Sequence, residues 1–171
     1  MTPLYTIGYE GSDIDRLVAT LKNIGVQVLA DVRELPLSRK KGLSKNSLRD
    51  RLAREGIEYL HFKELGDPKP GRDAAKSGNI LEFERVFLNH LASPSAQEAL
   101  TNLLSVAVGR KTCMLCFERC ASICHRSYIA DEAVERGFEV LNLVADHPEQ
   151  YLEDGISIPR YNSRKGLTAA E

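Results

Sequence analysis

The sequence predicts an α/β protein, a three-layer αβα Rossmann-like sandwich built on a mostly parallel sheet of about five strands. Short apolar runs of strand length alternate with segments of helical spacing along most of the chain. One of them, Val26 to Val32, is a short run apolar apart from Gln27 and Asp31, as strands buried on both faces of a parallel sheet are. Glycines at 25, 56 and 137 each stand where a helical segment stops.

Leu4 to Tyr9 reads as the first strand, rich in aromatic and β-branched residues and ended by Gly8 and Gly11. Ser12 or Asp13 then caps a helix that carries Ile14, Leu17, Val18, Leu21 and Ile24 on one face. Val26 to Val32 is the second strand, and Arg33 to Lys45 a strongly basic loop. A second helix spans Ser44 to Glu55 with Leu48 and Leu52 on one face, and Ile57 to Phe62 is the third strand. Gly66 to Asn79 is a loop by composition. Helices follow at Ile80 to Leu91 and Ser95 to Val108, with Pro94 opening the second. Lys111 to Phe117 is the fourth strand, Arg126 to Arg136 a helix, and Phe138 to Val144 the fifth strand.

At 171 residues the chain suits a single domain, expected over 1–150, with a loosely attached tail over 151–171. A domain of that size buries roughly two-thirds of its unfolded surface and needs no metal or disulfide to fold. Apolar residues make up 43% and charged residues 27%, and no run approaches the ~18 apolar residues of a membrane span. The first residues lack the basic start and apolar stretch of a secretion signal, so the expected compartment is the cytoplasm. A net charge of -1 leaves any attraction to nucleic acid to a local patch.

Ligands of such folds bind outside the carboxyl ends of the strands. That edge carries Tyr9 and Glu10, Asp31 and Arg33, Glu64 and Gly66, Cys116 and Glu118, and the run Cys124, His125, Arg126. The four cysteines, at 113, 116, 120 and 124, fall within twelve residues, a clustering that suggests reactive thiols or a metal in a cytosolic protein. Strand alternation puts Cys116 and Glu118 on one face and Cys113 on the other, as core. Cys124 and His125 precede a helix, whose N-terminus favours a thiolate or a bound anion, and Arg126 adds a positive fork. The opposite reading makes Cys124 a small buried hydrophobe, His125 a cap and Arg126 an ion-pair partner. Cys120 and Arg126 have the C-x5-R spacing of cysteine phosphatases, but the intervening residues include no glycine to let the backbone approach an anion. The cysteine spacings do not form the paired units of zinc ribbons. Asp31 is a candidate base or a brace for Arg33, and Arg33, Arg39, Lys40 and Lys41 make the following loop a candidate anion grip. Tyr59 and His61 share one face of their strand.

The segments TIGYEG, LADVRELPLSR, GIEYLHFKELG and LCFERCASICHR, in this order from about Thr6 to Val144, together resemble the family known as domain of unknown function 488. The resemblance marks Gly8, Asp31, Arg33, Pro36, Ser38, Arg39, Tyr59, Gly66, Cys116, Glu118, Cys124, His125 and Arg126. It implies a fold and a set of site positions but no reaction. Two departures stand out: Tyr9-Glu10 where the family often has His-Ser, and Asp67 where it often has a second glycine. Cys113 and Cys120 lie outside the family pattern.

The function expected from these residues is a hydrolase or transferase acting on a phosphate-bearing, nucleotide- or nucleic-acid-related substrate. Asp31, Cys116, Glu118, Cys124 and His125 form its catalytic set, with Cys124 as reactive thiol and Asp31 and Glu118 as acid or base. Arg33, Ser38, Arg39 and Arg126 bind the anion, and Gly8, Tyr9, Tyr59 and Gly66 line the pocket. No cofactor is expected and no residue is assigned to metal; the partners are a small phosphorylated molecule or nucleic acid, without a membrane, and the oligomeric state is open. Two alternatives remain: a non-catalytic nucleotide or modified nucleic-acid binding module, and a metal (zinc) or redox sensor on Cys116, Cys120, Cys124 and His125.

Overall fold

Five strands in the order β3-β2-β4-β1-β5 make one sheet, parallel at every pairing. In chain order they are β1 (Thr2–Gly8), β2 (Val28–Asp31), β3 (Glu58–His61), β4 (Thr112–Cys116) and β5 (Phe138–Asn142). The helices are α1 (Ile14–Ile24), α2 (Lys45–Arg54), α3 (Lys69–Lys76), α4 (Ile80–Leu91), α5 (Pro94–Gly109) and α6 (Arg126–Glu135). The computed structural model describes residues 1–162.

Alternation along the strands sorts the core into two layers. Tyr5, Ile7, Leu29, Cys113 and Leu115 face α1 and α2, meeting Leu17, Leu21, Leu48 and Leu52. Leu4, Ala30, Met114, Cys116 and Val140 face the other way, onto Phe87 of α4, Leu100 and Leu103 of α5 and Ile129 of α6. Burying ten or more such aliphatic side chains, at about 1.5–3 kcal/mol each, is the main force holding both layers to the sheet.

Asp13 caps α1 by accepting from the Arg16 backbone N–H at 2.9 Å, and Gly25 ends it in the left-handed conformation with φ 80°. Ser93 caps α5 with Pro94 in its first turn. One expected loop is wrong: Gly66 to Asn79 contains α3. Its prolines fall at the entry to the helix, where a missing N–H costs nothing; Ala74 packs in the cluster with Phe83 and Phe87 of α4, and Gly71 lies against Asp67, whose Oδ1 would sit 2.0 Å from a Cβ there.

The described part of the expected tail lies against the body. A 3-10 turn spans Pro148–Leu152, and the Tyr151 hydroxyl accepts from the Val144 N–H at 2.9 Å. Arg160 bridges antiparallel to Leu141, and the Tyr161 hydroxyl donates to Asp131 at 2.8 Å. Aromatic anchors spaced along a polar segment hold it where composition suggests looseness. Residues 163–171, the end of that tail, lie outside the described residues. Among the described residues no helix is long and apolar enough to cross a membrane.

Candidate functional site

The chain leaves β1 and β2 for helices on one face of the sheet and leaves β4 for α6 on the other. The crevice at such a switch point opens beside the end of β4. Gly8 of β1 pairs there with Cys116. A Cβ on Gly8 would fall 1.7 Å from the Glu118 carbonyl oxygen, so the loop after β4 crosses β1 at a distance that only glycine permits.

Sulfur chemistry is concentrated in this crevice. Cys116 and Cys124 meet at their sulfur atoms in disulfide contact, both essentially buried. The Arg126 guanidinium, 1% exposed, donates from Nη1 to Cys116 Sγ at 2.7 Å. It also donates to the carbonyls of Glu118 and Arg119 and, through Nε, to Thr6 Oγ1 at 3.3 Å. Burial brings its pKa down to about 10, so it stays charged at neutral pH. Glu118 Oε2 lies 3.5 Å from Cys116 Sγ, and burial raises its pKa. His125 Nε2 is 2.7 Å from the Val32 carbonyl, which can only accept. Nε2 therefore carries the proton, leaving Nδ1 as the acceptor 3.6 Å from Cys124 Sγ. Burial drives the His125 pKa down to about 4 and keeps the ring neutral.

A second buried cluster lies across Val32. Asp31, fully buried, accepts from the Arg33 backbone N–H, from Arg33 Nε at 2.9 Å and Nη2 at 2.7 Å, and from the Tyr59 hydroxyl at 2.6 Å. Arg33 Nη1 donates to the Leu43 carbonyl at 2.8 Å and to the Tyr9 hydroxyl, and the guanidinium lies over the Tyr9 ring. Burial alone would lower the Arg33 pKa; the hydrogen bonds and charge of Asp31 outweigh it and raise the value. The Tyr59 pKa is raised by burial and then by Asp31, so the phenol keeps its proton. Asp31, Arg33, Tyr9 and Tyr59 thus satisfy one another, the arrangement of a brace for the basic loop.

The remaining expected residues are scattered. Ser38 closes turns within its loop, bonding the Lys40 N–H and Ser44, and Arg39 is exposed. Gly66 is a packing position, since a Cβ there would meet the Glu34 backbone N at 2.1 Å. Asp67, the residue that replaces a glycine of the family pattern, was missed by sequence reasoning. It is 7% exposed, its Oδ1 has no hydrogen-bond partner among the described residues, and burial pushes its pKa up to about 7, with Glu118 and Glu34 adding to the rise. The available signal was its place directly after Gly66 at the carboxyl edge. Among the described residues, Cys116 Sγ, a Glu118 carboxylate oxygen and Cys124 Sγ form one possible set of metal donors, all within 4.8 Å of one another.

The family model described as Domain of unknown function DUF488 matches residues 13–133. No curated protein matches the chain significantly, and no solved structure does.

Proposed function

The chain belongs to the family described as Domain of unknown function DUF488, and from that premise we propose that it is a thiol redox sensor in which Cys116 and Cys124 cycle between dithiol and disulfide. The family supplies positions and no reaction, so one observation carries the reading: a buried guanidinium 2.7 Å from the sulfur of Cys116, where the sulfur of Cys124 meets it. A cation at that distance favours the thiolate, the nucleophilic form.

The oxidant is a small hydroperoxide, matched to sulfurs too buried for a bulky partner. The Cys116 thiolate attacks the terminal peroxide oxygen, the O–O bond breaks, and the leaving hydroxide or alkoxide takes a proton from the Glu118 carboxyl. Cys116 is then a sulfenic acid. Cys124, whose S–H points at His125 Nδ1, attacks that sulfur; an S–S bond forms and the hydroxyl departs with the thiol proton as water. Two electrons have passed from the dithiol to the peroxide. His125 is too weak a base to keep the proton and acts by orienting Cys124. A small dithiol, within the same size limit, restores the starting state. Such a cycle belongs in a reducing compartment, the cytoplasm.

The test is stoichiometric hydrogen peroxide on reduced protein, followed by alkylation in denaturant and peptide mass spectrometry. A Cys116 to Cys124 disulfide that dithiothreitol reverses is expected; alkylatable Cys116 and Cys124 after complete peroxide consumption refutes the reading.

One observation favours a second reading, a phosphate-bearing nucleotide or nucleic-acid substrate handled by hydrolysis or group transfer. Arg39, Lys41, Lys45 and Arg49 are exposed along the loop after β2 and the start of α2, with Lys45 near the His61 ring at the end of β3 and Arg49 paired to Asp50. Arg33 and Arg126 direct their donors at protein groups, which leaves this basic stretch as the anion contact. A thermal-shift screen with nucleotides and short oligonucleotides, without stabilisation, would refute it.

A further inference from the structure

We propose that the reduced crevice is a binding site for a thiophilic divalent cation of the zinc class, held by Cys116 Sγ, Cys124 Sγ and a carboxylate oxygen of Glu118. The three donor atoms come from two segments, the end of β4 and the approach to α6, and already converge within 4.8 Å. Two thiolates and one carboxylate match the preference of zinc for sulfur joined by a hard oxygen donor, and three protein ligands leave one coordination position open.

Charge balance is the second argument. In their ligating forms the three donors carry three negative charges inside a site where Arg126 supplies one positive charge. Two uncompensated charges in so buried a place are prohibitive, and a divalent cation cancels them. Arg126 is compatible with this role: its N–H bond to Cys116 Sγ tempers the sulfur charge without occupying the sulfur's contact with its partners, as outer groups of metal sites do. His125 differs: its proton sits on Nε2, against the Val32 carbonyl, so Nδ1 has no hydrogen to give the Cys124 sulfur and Arg126 alone tempers the thiolate charge. The donor set differs from the one expected from spacing: it gains Glu118, and it includes neither Cys120 nor His125.

The inference shares its sulfurs with the redox reading and gives it a consequence. Disulfide formation removes both thiolates, so peroxide would expel the ion, and bound ion would protect the thiols.

Reduced, metal-stripped, full-length protein titrated anaerobically with Co2+ provides the test. One equivalent of Co2+ should give sulfur-to-cobalt charge-transfer absorption with the visible bands of a tetrahedral ion, and Zn2+ should erase both. Glu118→Gln, nearly isosteric, should weaken binding by at least about tenfold, Cys124→Ser should abolish stoichiometric binding, and Cys120→Ser should leave it unchanged. Absence of the charge-transfer band, or a band indifferent to Glu118→Gln and Cys124→Ser, overturns the inference. Circular dichroism on each variant separates lost binding from lost fold. Metal-free protein that forms the disulfide with peroxide yet takes no Co2+ refutes this inference alone. Protein that binds Co2+ but forms no disulfide refutes the redox reading alone.

Discussion

Replacing Asp31 with Asn separates a structural brace from a catalytic base. The substitution keeps the shape of the side chain and removes the charge that receives Arg33 Nε, Arg33 Nη2 and the Tyr59 hydroxyl. Arg33, 6% exposed, is then a buried cation without its counter-ion. Breaking one partner of such a pair costs about 3–5 kcal/mol, a large share of the roughly 5–15 kcal/mol that holds a domain folded. At about 2–4 °C per kcal/mol for a chain of this length, the midpoint of thermal unfolding should fall by roughly 6–20 °C. Adding Arg33→Gln should recover part of the loss, because no lone charge then remains. Thermal and urea unfolding give the stabilities, and the rate of peroxide-driven disulfide formation per folded molecule gives the chemistry. The brace predicts lost stability with an unchanged rate. Normal stability with a collapsed rate would show Asp31 acting in the reaction and refute the reasoning.

Gly8→Ala places a methyl group 1.7 Å from the Glu118 carbonyl oxygen and 2.4 Å from its carbon. Backbone must move, at a cost of roughly 1–3 kcal/mol or more, and urea unfolding together with faster alkylation of Cys116 should report it; an unchanged protein would mean the crossing is looser than described. In native buffer a maleimide should label the exposed Cys120 first, while Cys113, whose pKa burial raises, and the buried Cys116 and Cys124 wait for denaturant. Equal labelling of all four by mass spectrometry would contradict that burial. Two buried groups should give opposite pH dependences of stability. His125 has a folded pKa near 4 against an unfolded value of about 6.5, so the unfolded chain binds more protons in that window and stability falls, by about 3 kcal/mol, as pH drops through it. Asp67, raised to about 7, binds its proton more tightly when folded, so its contribution is lost as pH rises from about 4 to 7. Asp67→Asn should therefore steepen the loss of stability on acidification, and His125→Gln should flatten or invert it, both read by urea unfolding from pH 4 to 8.

The sheet was legible because its signals are local. Val26 to Val32 advertises burial on both faces, and alternation from Cys113 to Glu118 places Cys116 with Glu118 and sends Cys113 to the opposite layer, as found. α3 was not legible, because Pro68, Pro70, Gly71 and Gly78 read as loop residues whatever their position in a turn, and only packing against α4 decides. At the site, residue identity was readable and direction was not. Arg33 and Arg126 look like an anion grip in a list of charges, yet each turns back onto acceptors of its own chain, Asp31 for one and Cys116 with two carbonyls for the other.

That inward turn follows from where Arg126 sits. It opens α6, where unpaired N–H groups and the helix dipole already favour negative charge and disfavour a cation. A guanidinium at this position is stable only if acceptors come to it, and the loop held tight against Gly8 brings the carbonyls of Glu118 and Arg119 within reach. The same Nη1 that reaches the Glu118 carbonyl turns its other N–H to the sulfur of Cys116. The same crossing that only Gly8 allows therefore fixes the cation that tunes the thiol, which ties a backbone requirement in β1 to the chemistry at the end of β4.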